Sequence, residues 1–281
     1  MKKLFLIDGM ALIYRSYYAF INNPLSTSSG FPTSAIYGFL NSIFKILNEE
    51  KPDYISIALD AQKPTFRHDI FSDYKANRKK MPDDLRLQIP EIKQILSKVN
   101  ANVLINEGYE ADDIIATVVK QLNSEEISIY IVTGDKDLMQ LVDKNVFVYN
   151  PGNKFSGTII YDKEKVLQKW NVPPNKICDL LTIMGDTSDN IPGVKGIGPK
   201  TASKLIHEFG GVEALLLKID DIPNKRIKGL IESQIEDIKM SNQLVRLKED
   251  IDIEIDLDSM DVTALTFDEA KEDFKKYEMS S

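Results

Sequence analysis

The stretch Leu4-Phe5-Leu6-Ile7-Asp8 is a continuous apolar run that ends on an aspartate. Two later runs have the same form. Tyr54–Leu59 is followed at once by Asp60, and Ser128–Val132 leads into Asp135. Strands with apolar residues on both faces are typical of a parallel sheet that helices cover on each side. The three runs therefore predict strands of one buried sheet.

The chain between these runs carries the apolar periodicity of helices. Two further strands are predicted at Asn102–Ile105 and Val146–Tyr149, and helices are predicted at Thr33–Asn48, Asp83–Val99 and Ala111–Leu122. Alternating strands and helices predict an α/β domain with a mostly parallel sheet and flanking helices.

The pattern changes after the turn-forming loop 150–154, and beyond about Asp162 it is helical. We therefore expect a domain boundary near Trp170. It would separate an α/β domain over residues 1–170 from a helical domain over residues 171–281.

The composition excludes several classes of protein. Among 281 residues there is one cysteine, Cys178, and there are two histidines, His68 and His207. A disulfide framework and a zinc site built from several Cys or His are therefore excluded. No apolar run approaches the roughly 18 residues of a transmembrane helix, so we expect a cytoplasmic protein without a membrane partner.

The charge is unevenly distributed. The net charge is −8, from 35 basic and 43 acidic residues, which by itself argues against a partner that is a polyanion. However, six basic residues and only two acids lie between Lys63 and Lys80. Basic patches beside clustered acids indicate metal ions and a phosphate backbone together.

Three predicted strands end on or near an aspartate: Asp8, Asp60 and Asp135. Ligands of open α/β sheets bind beyond the carboxyl ends of the strands, where the strand order reverses. Each aspartate alone is equally well explained as a helix cap or a turn residue. All three together favour a site at this edge of the sheet.

Further acids occur in tight groups that caps and turns would explain one at a time. The full set is Asp8, Asp60, Glu110, Asp112, Asp113, Asp135, Asp137, Asp186 and Asp189. Crowded carboxylates need cations to neutralise them, and oxygen ligands suit Mg²⁺ or Mn²⁺. Two such ions about 4 Å apart promote phosphodiester hydrolysis.

A glycine-rich turn spans residues 193–201, and Pro199 interrupts its similarity to an ATP-binding loop. Pro199 instead suits the first position of a helix through Thr201–Ile206. The N-terminus of that helix and the nearby lysines could bind a DNA backbone phosphate without reading bases. A plain helix–turn–helix corner is the alternative.

Four motifs occur in one order: Leu6-Ile7-Asp8-Gly9, residues 108–113 (GYEADD), residues 133–137 (TGDKD) and residues 185–198 (GDTSDNIPGVKGIG). This order closely resembles the 5′-nuclease domain, a 5′→3′ exonuclease and flap endonuclease, of bacterial DNA polymerase I. The resemblance runs from Met1 to at least Gly210. It implies a PIN-like α/β domain, a helical arch at about 63–90 and a helix-hairpin-helix motif at about 175–208.

The resemblance also implies a role for each candidate residue. Two Mg²⁺ or Mn²⁺ ions are expected, one mainly among Asp8, Asp60, Glu110, Asp112 and Asp113 and the other among Asp135, Asp137, Asp186 and Asp189. Lys75 and Arg78 are expected to contact the scissile phosphate. The expected DNA contacts are Arg15, Arg67, Tyr74, Lys195, Gly196, Gly198, Lys200 and Lys204. The family's hairpin can hold a monovalent cation such as K⁺, and we expect that site here as well.

The expected activity is cleavage of branched DNA at 5′ flaps and 5′ ends by a monomer, in replication and repair. Tyr74 could instead be an ordinary half-buried tyrosine that does not contact DNA. Two other functions stay open: a PIN-type ribonuclease acting on structured RNA and a non-catalytic branched-DNA-binding protein. The sequence leaves open whether this is a polymerase I domain or a free-standing exonuclease working beside a polymerase.

Overall fold

The computed structural model describes residues 1–152 and 157–279. Its centre is a six-stranded sheet with the order β3-β2-β1-β4-β5-β6. The strands are β1 (Lys2–Asp8), β2 (Tyr54–Ala58), β3 (Val103–Leu104), β4 (Ile127–Val132), β5 (Val146–Asn150) and β6 (Ile159–Tyr161). Residues 153 and 154 of the predicted turn-forming loop lie outside the described residues.

Strands β1 to β5 are parallel, and only the edge strand β6 runs antiparallel. The order reverses between β1 and β4, because the chain moves outward from β1 in both directions. A crevice at the carboxyl ends of these two strands is where α/β sheets bind ligands. The predicted mostly parallel sheet is confirmed, and the short antiparallel strand β6 is an addition that the sequence analysis missed.

Helices cover both faces of the sheet. They are α1 (Gly9–Ala19), α2 (Ser34–Lys45) with a π-helical turn at Ile46–Glu50, α3 (Phe66–Ile70), α4 (Asp83–Lys98) and α5 (Ala111–Leu122). Side chains alternate between the faces of β1. Leu4 and Leu6 pack in one core, whereas Phe5 and Ile7 pack in the other. Helix α1 was not predicted, and it begins directly after Asp8, which caps it.

The rest of the chain is mainly helical. Its elements are α6 (Lys163–Trp170), α7 (Ile177–Met184), α8 (Pro199–Phe209), α9 (Val212–Leu217), α10 (Lys225–Glu232), α11 (Ile235–Val245) and α12 (Lys271–Lys276), with short 3₁₀ turns between them. Pro199 is the first residue of α8, as predicted. Leu180 and Leu244 of this region belong to the same core as Leu4, so helices α7 and α11 pack directly against the sheet domain.

The C-terminal segment returns to the α/β domain, which differs from the predicted helical domain over 171–281. Lys98 and Asp273 form an ion pair of 2.6 Å. The ring of Tyr277 lies 5.8 Å from that of Phe31, measured between centroids. Apolar residues of α12 and of the turns before it cover the helices around α2, a long-range contact without a local sequence signal.

The predicted arch, 63–90, does not extend through α4. Leu85 and Gln88 of this helix are buried. Gln88 Oε1 accepts hydrogen bonds from the backbone N–H groups of Ala35 and Ile36, which begin α2. Leu85 and Gln88 therefore anchor α4 to the core, and the turns between Ile70 and Asp83 lie over the sheet edge. Within the described ranges, no helix has the length and apolarity needed to cross a membrane.

The loop between α7 and α8 depends on two glycines that touch. Gly193 has φ +57°, and a Cβ on it would lie 2.2 Å from the backbone nitrogen of Gly185. We expect Gly193→Ala to lower the free energy of unfolding by about 2–4 kcal/mol, because backbone atoms must move. Chemical denaturation measures this. Gly198→Ala is the matched control, since its Cβ would meet no atom within 4 Å. Equal losses in both variants would contradict the close contact.

Candidate active site

Five of the predicted carboxylates meet in one cavity of about 300 Å³ at the carboxyl edge of the sheet. They are Asp8, Asp60, Glu110, Asp112 and Asp135. They come from the ends of β1, β2 and β4 and from the start of α5. The strand order thus brings together acids that are more than 120 residues apart in the chain.

Backbone and hydroxyl groups fix two of these acids. Asp8 Oδ1 accepts a hydrogen bond of 3.1 Å from the N–H of Ala11, and Oδ2 accepts one of 2.8 Å from the Thr133 hydroxyl. Asp60 Oδ1 accepts from the N–H of Ala111 at 2.8 Å, at the N-terminus of α5. These bonds leave other lone pairs of both carboxylates free to face the cavity.

A second group adjoins the first. Asp137, Asp186 and Asp189 are buried, and each offers one carboxylate oxygen within 4.8 Å of the others. Asp186 and Asp189 lie in a tight turn that two backbone hydrogen bonds between Asp186 and Ile191 close. Among the described residues, Asp137 Oδ1 is the one buried side-chain polar atom without a hydrogen-bond partner.

The crowding affects protonation. Burial raises the pKa of Asp8 to about 7, and the charges of Asp135 and Asp60 act in the same direction against hydrogen bonds from Ala11 and Thr133. A carboxylate with such a pKa binds a cation only after it loses its proton.

Two further acids are affected more strongly. Burial, together with the charges of Asp8 and Asp135, raises the pKa of Asp112 well above its usual value. Burial and Asp135 do the same for Asp137. By contrast, hydrogen bonds from Lys136 and Ser188 outweigh burial at Asp186 and lower its pKa.

These features fit divalent metal ions. The donors are carboxylate oxygens, which suit Mg²⁺ and Mn²⁺. The unpartnered oxygen of Asp137 and the raised pKa values of Asp8, Asp112 and Asp137 indicate that the protein's own cations compensate the negative charge only in part. The side chains present can hold cations at both groups.

Residues 71–78 lie across the two sets of carboxylates, the one in the cavity and the one formed by Asp137, Asp186 and Asp189. Lys75 Nζ is 2.7 Å from Glu110 and 3.6 Å from Asp189, and Arg78 pairs with the other oxygen of Asp189. Lys75 has φ +59° and donates its backbone N–H to the carbonyl of Asp189. Both predicted phosphate-contacting cations therefore face the carboxylates.

The structure departs from three predicted roles. Asp113 is completely buried and does not line the cavity. Its two oxygens accept hydrogen bonds from Arg67 at 2.7 and 2.8 Å and from the backbone N–H groups of Glu110 and Lys248. With its lone pairs occupied, Asp113 has none to offer a metal ion. Arg67 is 2% exposed, so it has no surface for DNA.

Tyr74 also differs from the predicted stacking residue. It is 3% exposed, and its hydroxyl bonds to Glu110 at 3.0 Å and to Asp189 at 3.1 Å. Its ring is packed in the core, which leaves no face for a base. Tyr74 thus connects the two carboxylate groups.

The predicted DNA-binding hairpin lies outside the cavity. Lys195, Gly196, Gly198, Lys200 and Lys204 are all exposed. Helix α11 supports the hairpin. Gln234 accepts a hydrogen bond from the Lys195 N–H, and Ser241 accepts one from the Gly193 N–H. Arg15 is half-buried and lines a neighbouring cavity that shares Asp135.

Three residues around the site were not singled out from the sequence. Thr133 bonds both to Asp8 and to the N–H of Asp135. Lys136 pairs with Asp186 at 2.6 Å, and Tyr14 lines the carboxylate cavity. Thr133 and Lys136 lie inside a quoted motif, which was the available signal.

Comparison with known protein families accounts for nearly the whole chain. Residues 3–171 match the model "5'-3' exonuclease, N-terminal resolvase-like domain", and residues 172–268 match "5'-3' exonuclease, C-terminal SAM fold". The chain belongs to the 5'-3' exonuclease family. The resemblance predicted from the motifs is therefore confirmed, as is the α/β domain followed by a helical one.

Individual relatives agree with this assignment. This chain is 40% identical over 281 residues to the 5'-3' exonuclease of Aquifex aeolicus (strain VF5). The match covers all of this chain and 94% of the A. aeolicus protein. The chain is also 40% identical over 260 residues to DNA polymerase I of Caldicellulosiruptor bescii, covering 92% of this chain but 30% of the polymerase.

A solved structure has the same fold. It is a complex of the bacteriophage T5 flap endonuclease with DNA and metal ions. The TM-score is 0.69 and the sequence identity 23%, over 88% of the exonuclease and 90% of the T5 chain.

The buried ion pair of Arg67 and Asp113 leads to a prediction about stability. Burial alone would lower the pKa of Arg67, but hydrogen bonds and charge from Asp113 raise it, so the guanidinium stays charged. We expect Asp113→Asn to lower the free energy of unfolding by about 3–5 kcal/mol, because it removes the carboxylate that two guanidinium nitrogens of Arg67 bond to and leaves this buried cation with the longer 3.4 Å ion pair to Glu110. The matched control is Asp69→Asn, at an exposed position of α3. It should change the free energy of unfolding by less than about 0.5 kcal/mol. Denaturation curves that coincide for these two variants would contradict the role of Asp113.

The raised pKa values of the carboxylates predict how the free energy of unfolding depends on pH. Since Asp8 titrates near 7 in the folded protein and near 4 when unfolded, the folded chain binds more protons between these values. The stability contributed by this group is therefore lost as pH rises from about 4 through 7. With chelator present, the unfolding free energy of wild type minus that of Asp8→Asn should fall between pH 5 and pH 7.

Added Mg²⁺ should reverse this fall, because cations favour the ionised carboxylates. Asp252→Asn, at an exposed acid outside the cavity, should leave the pH profile of the wild type unchanged. A difference that rises with pH would have the wrong sign for a crowded carboxylate site.

Proposed function

We propose that the chain is a structure-specific 5′-nuclease that hydrolyses DNA phosphodiesters at 5′ flaps and 5′ ends. The observation that carries this proposal is the pair of adjoining carboxylate groups with Lys75 and Arg78 lying across them. Acids alone would suit many cation sites. The positively charged side chains of Lys75 and Arg78 at the same place add a position for a phosphate, which is the group that such a nuclease cleaves.

The carboxylates divide into two sets. Asp8, Asp60, Glu110, Asp112 and Asp135 would hold one divalent ion, and Asp137, Asp186 and Asp189 would hold the other. This differs from the sequence expectation, which put Asp135 with the second ion, because Asp135 lines the same cavity as Asp8. Bound Mg²⁺ would supply Lewis-acid activation of water and stabilise charge on the departing oxygen. Mn²⁺ has similar ligand preferences and should substitute. The K⁺ site expected at the hairpin is also part of this proposal.

Lys75 and Arg78 would change partners when substrate binds. In the structure Lys75 pairs with Glu110, and Arg78 pairs with Asp189. Neutralising these carboxylates with divalent cations weakens both ion pairs. The ammonium and guanidinium groups can then bind the scissile phosphate and stabilise its growing charge.

The exposed hairpin would bind the duplex. The N-terminus of α8 and the side chains of Lys200 and Lys204 offer N–H groups and positive charge to backbone phosphates. Such contacts carry no base code, so specificity should follow the branch in the DNA rather than its sequence.

The relatives support a role for this chain in DNA replication and repair. DNA polymerase I of C. bescii carries a region similar to this chain, which supports a role in removing primers and flaps during replication and repair. We propose that the nuclease acts in the cytoplasm as a monomer, either joined to a polymerase or beside one.

Single-turnover cleavage of a 5′-labelled double-flap DNA tests the function. With Mg²⁺, wild type should release a short 5′ fragment cut near the junction, and chelator should abolish this. Asp112→Asn and Asp186→Asn should each lose more than roughly 100-fold in rate, since even residues behind metal ligands commonly account for 10–100-fold. DNA binding by both variants should be largely intact.

The control variant is Asp252→Asn, which should cleave like wild type. An RNA flap of the same shape runs in parallel, and preferential cleavage of it would replace the DNA assignment with a ribonuclease. Tight binding of flapped DNA without metal-dependent products would contradict the nuclease itself. Full turnover in both aspartate variants would contradict the two-ion site.

A further inference from the structure

A second cavity of about 520 Å³ adjoins the carboxylate site. Its lining includes Arg15, Lys136, Lys169 and Trp170, and we call it the Trp170 cavity. It shares Ala11 and Asp135 with the carboxylate cavity, so the two are continuous. No role has been given above to Lys169 or Trp170.

The cavity is lined by three cations, which differ in whether a carboxylate of the described residues pairs with them. Lys136 pairs with Asp186 and Asp137. By contrast, within residues 1–152 and 157–279 no carboxylate pairs with Lys169 or with the half-buried Arg15. A desolvated guanidinium and an ammonium at one concave surface favour an anion there.

Aromatic rings hold Lys169 in place. Its ammonium lies 4.6 Å from the ring centroid of Tyr161 and 5.5 Å from that of Trp170. The indole Nε1 of Trp170 points inward to the sulfur of Met139 at 3.1 Å, and the residue is only half-buried. One edge of the ring is thus fixed, while the side chain still lines the cavity. A cation beside an aromatic ring is the combination that binds nucleic acid strands.

The position of the cavity connects the two parts of the proposed DNA site. Asn171, the next residue after Trp170, donates a hydrogen bond to Ser203 and bonds to His207 through its carbonyl. Ser203 and His207 lie on α8, the helix that carries Lys200 and Lys204. The Trp170 cavity therefore lies between the carboxylates and the hairpin helix.

From this geometry we infer that the Trp170 cavity binds the DNA backbone between the cleavage point and the hairpin. A phosphate would be bound by Arg15 and Lys169, with Trp170 packing against the nucleoside attached to it. The inference rests on the proposed DNA nuclease function and extends its binding surface with Lys169 and Trp170.

Trp170 is the single tryptophan of the chain, so its fluorescence reports on this cavity alone. Double-flap DNA is titrated into the full chain with chelator present, which prevents cleavage. Anisotropy of a dye on the DNA records binding in the same samples. We expect Trp170 emission to change in parallel with anisotropy.

Lys169→Ala should weaken binding several-fold and lower the slope of log affinity against log salt by about 1, as loss of one phosphate contact does. Lys165→Ala is the matched control on the same helix, since Lys165 bonds to the carbonyl of Ile160 and does not line the cavity. Trp170→Phe keeps a ring at this position and should retain most of the affinity, whereas Trp170→Ala should not.

The outcomes separate the two proposals. Saturated anisotropy with unchanged Trp170 emission, or equal affinities and salt slopes for Lys169→Ala and Lys165→Ala, would overturn the cavity assignment while Mg²⁺-dependent cleavage by wild type stands. Absence of both binding and cleavage by wild type would overturn the proposed function and this inference with it.

Discussion

Repulsion among eight carboxylates at one edge of the sheet is the constraint on which the rest of the structure depends. Burial, reinforced by neighbouring like charges, disfavours ionisation and raises the pKa values of Asp8, Asp112 and Asp137. The parallel sheet overcomes the repulsion geometrically, because the ends of β1 and β4 are fixed by buried strands. The fold thus maintains a site that cations complete.

The protein's own cations complete part of the site. Lys75 and Arg78 bridge toward Asp189, and Lys136 pairs with Asp186. Each of these side chains is anchored on a turn rather than on a core strand. Asp8, Asp60 and Glu110 thus lie at the ends of strands or at the start of a helix, whereas Lys75, Arg78 and Lys136 lie on turns.

The buried pair of Arg67 and Asp113 serves a different purpose. Arg67 also donates to the carbonyl of Leu244 at 2.8 Å, so it connects α3, α5 and the end of α11. Because Asp113 bonds to the N–H of Glu110, the same pair fixes the start of α5, where Glu110 and Asp112 line the carboxylate cavity. It supports the site without taking part in its chemistry.

The sequence by itself determined strands β1 to β5, helices α2, α4, α5 and α8 and the set of acids, because apolar runs and the residues that end them are local signals. It also placed Pro199 at the start of α8. It did not separate Asp112 from Asp113, which are neighbours in the same motif. Only the tertiary structure decided that Asp112 faces the cavity and Asp113 the core, because the partner of Asp113 is Arg67, 46 residues away in the chain. The burial of Tyr74, and the return of the C-terminal segment to α2, likewise depend on packing between distant elements.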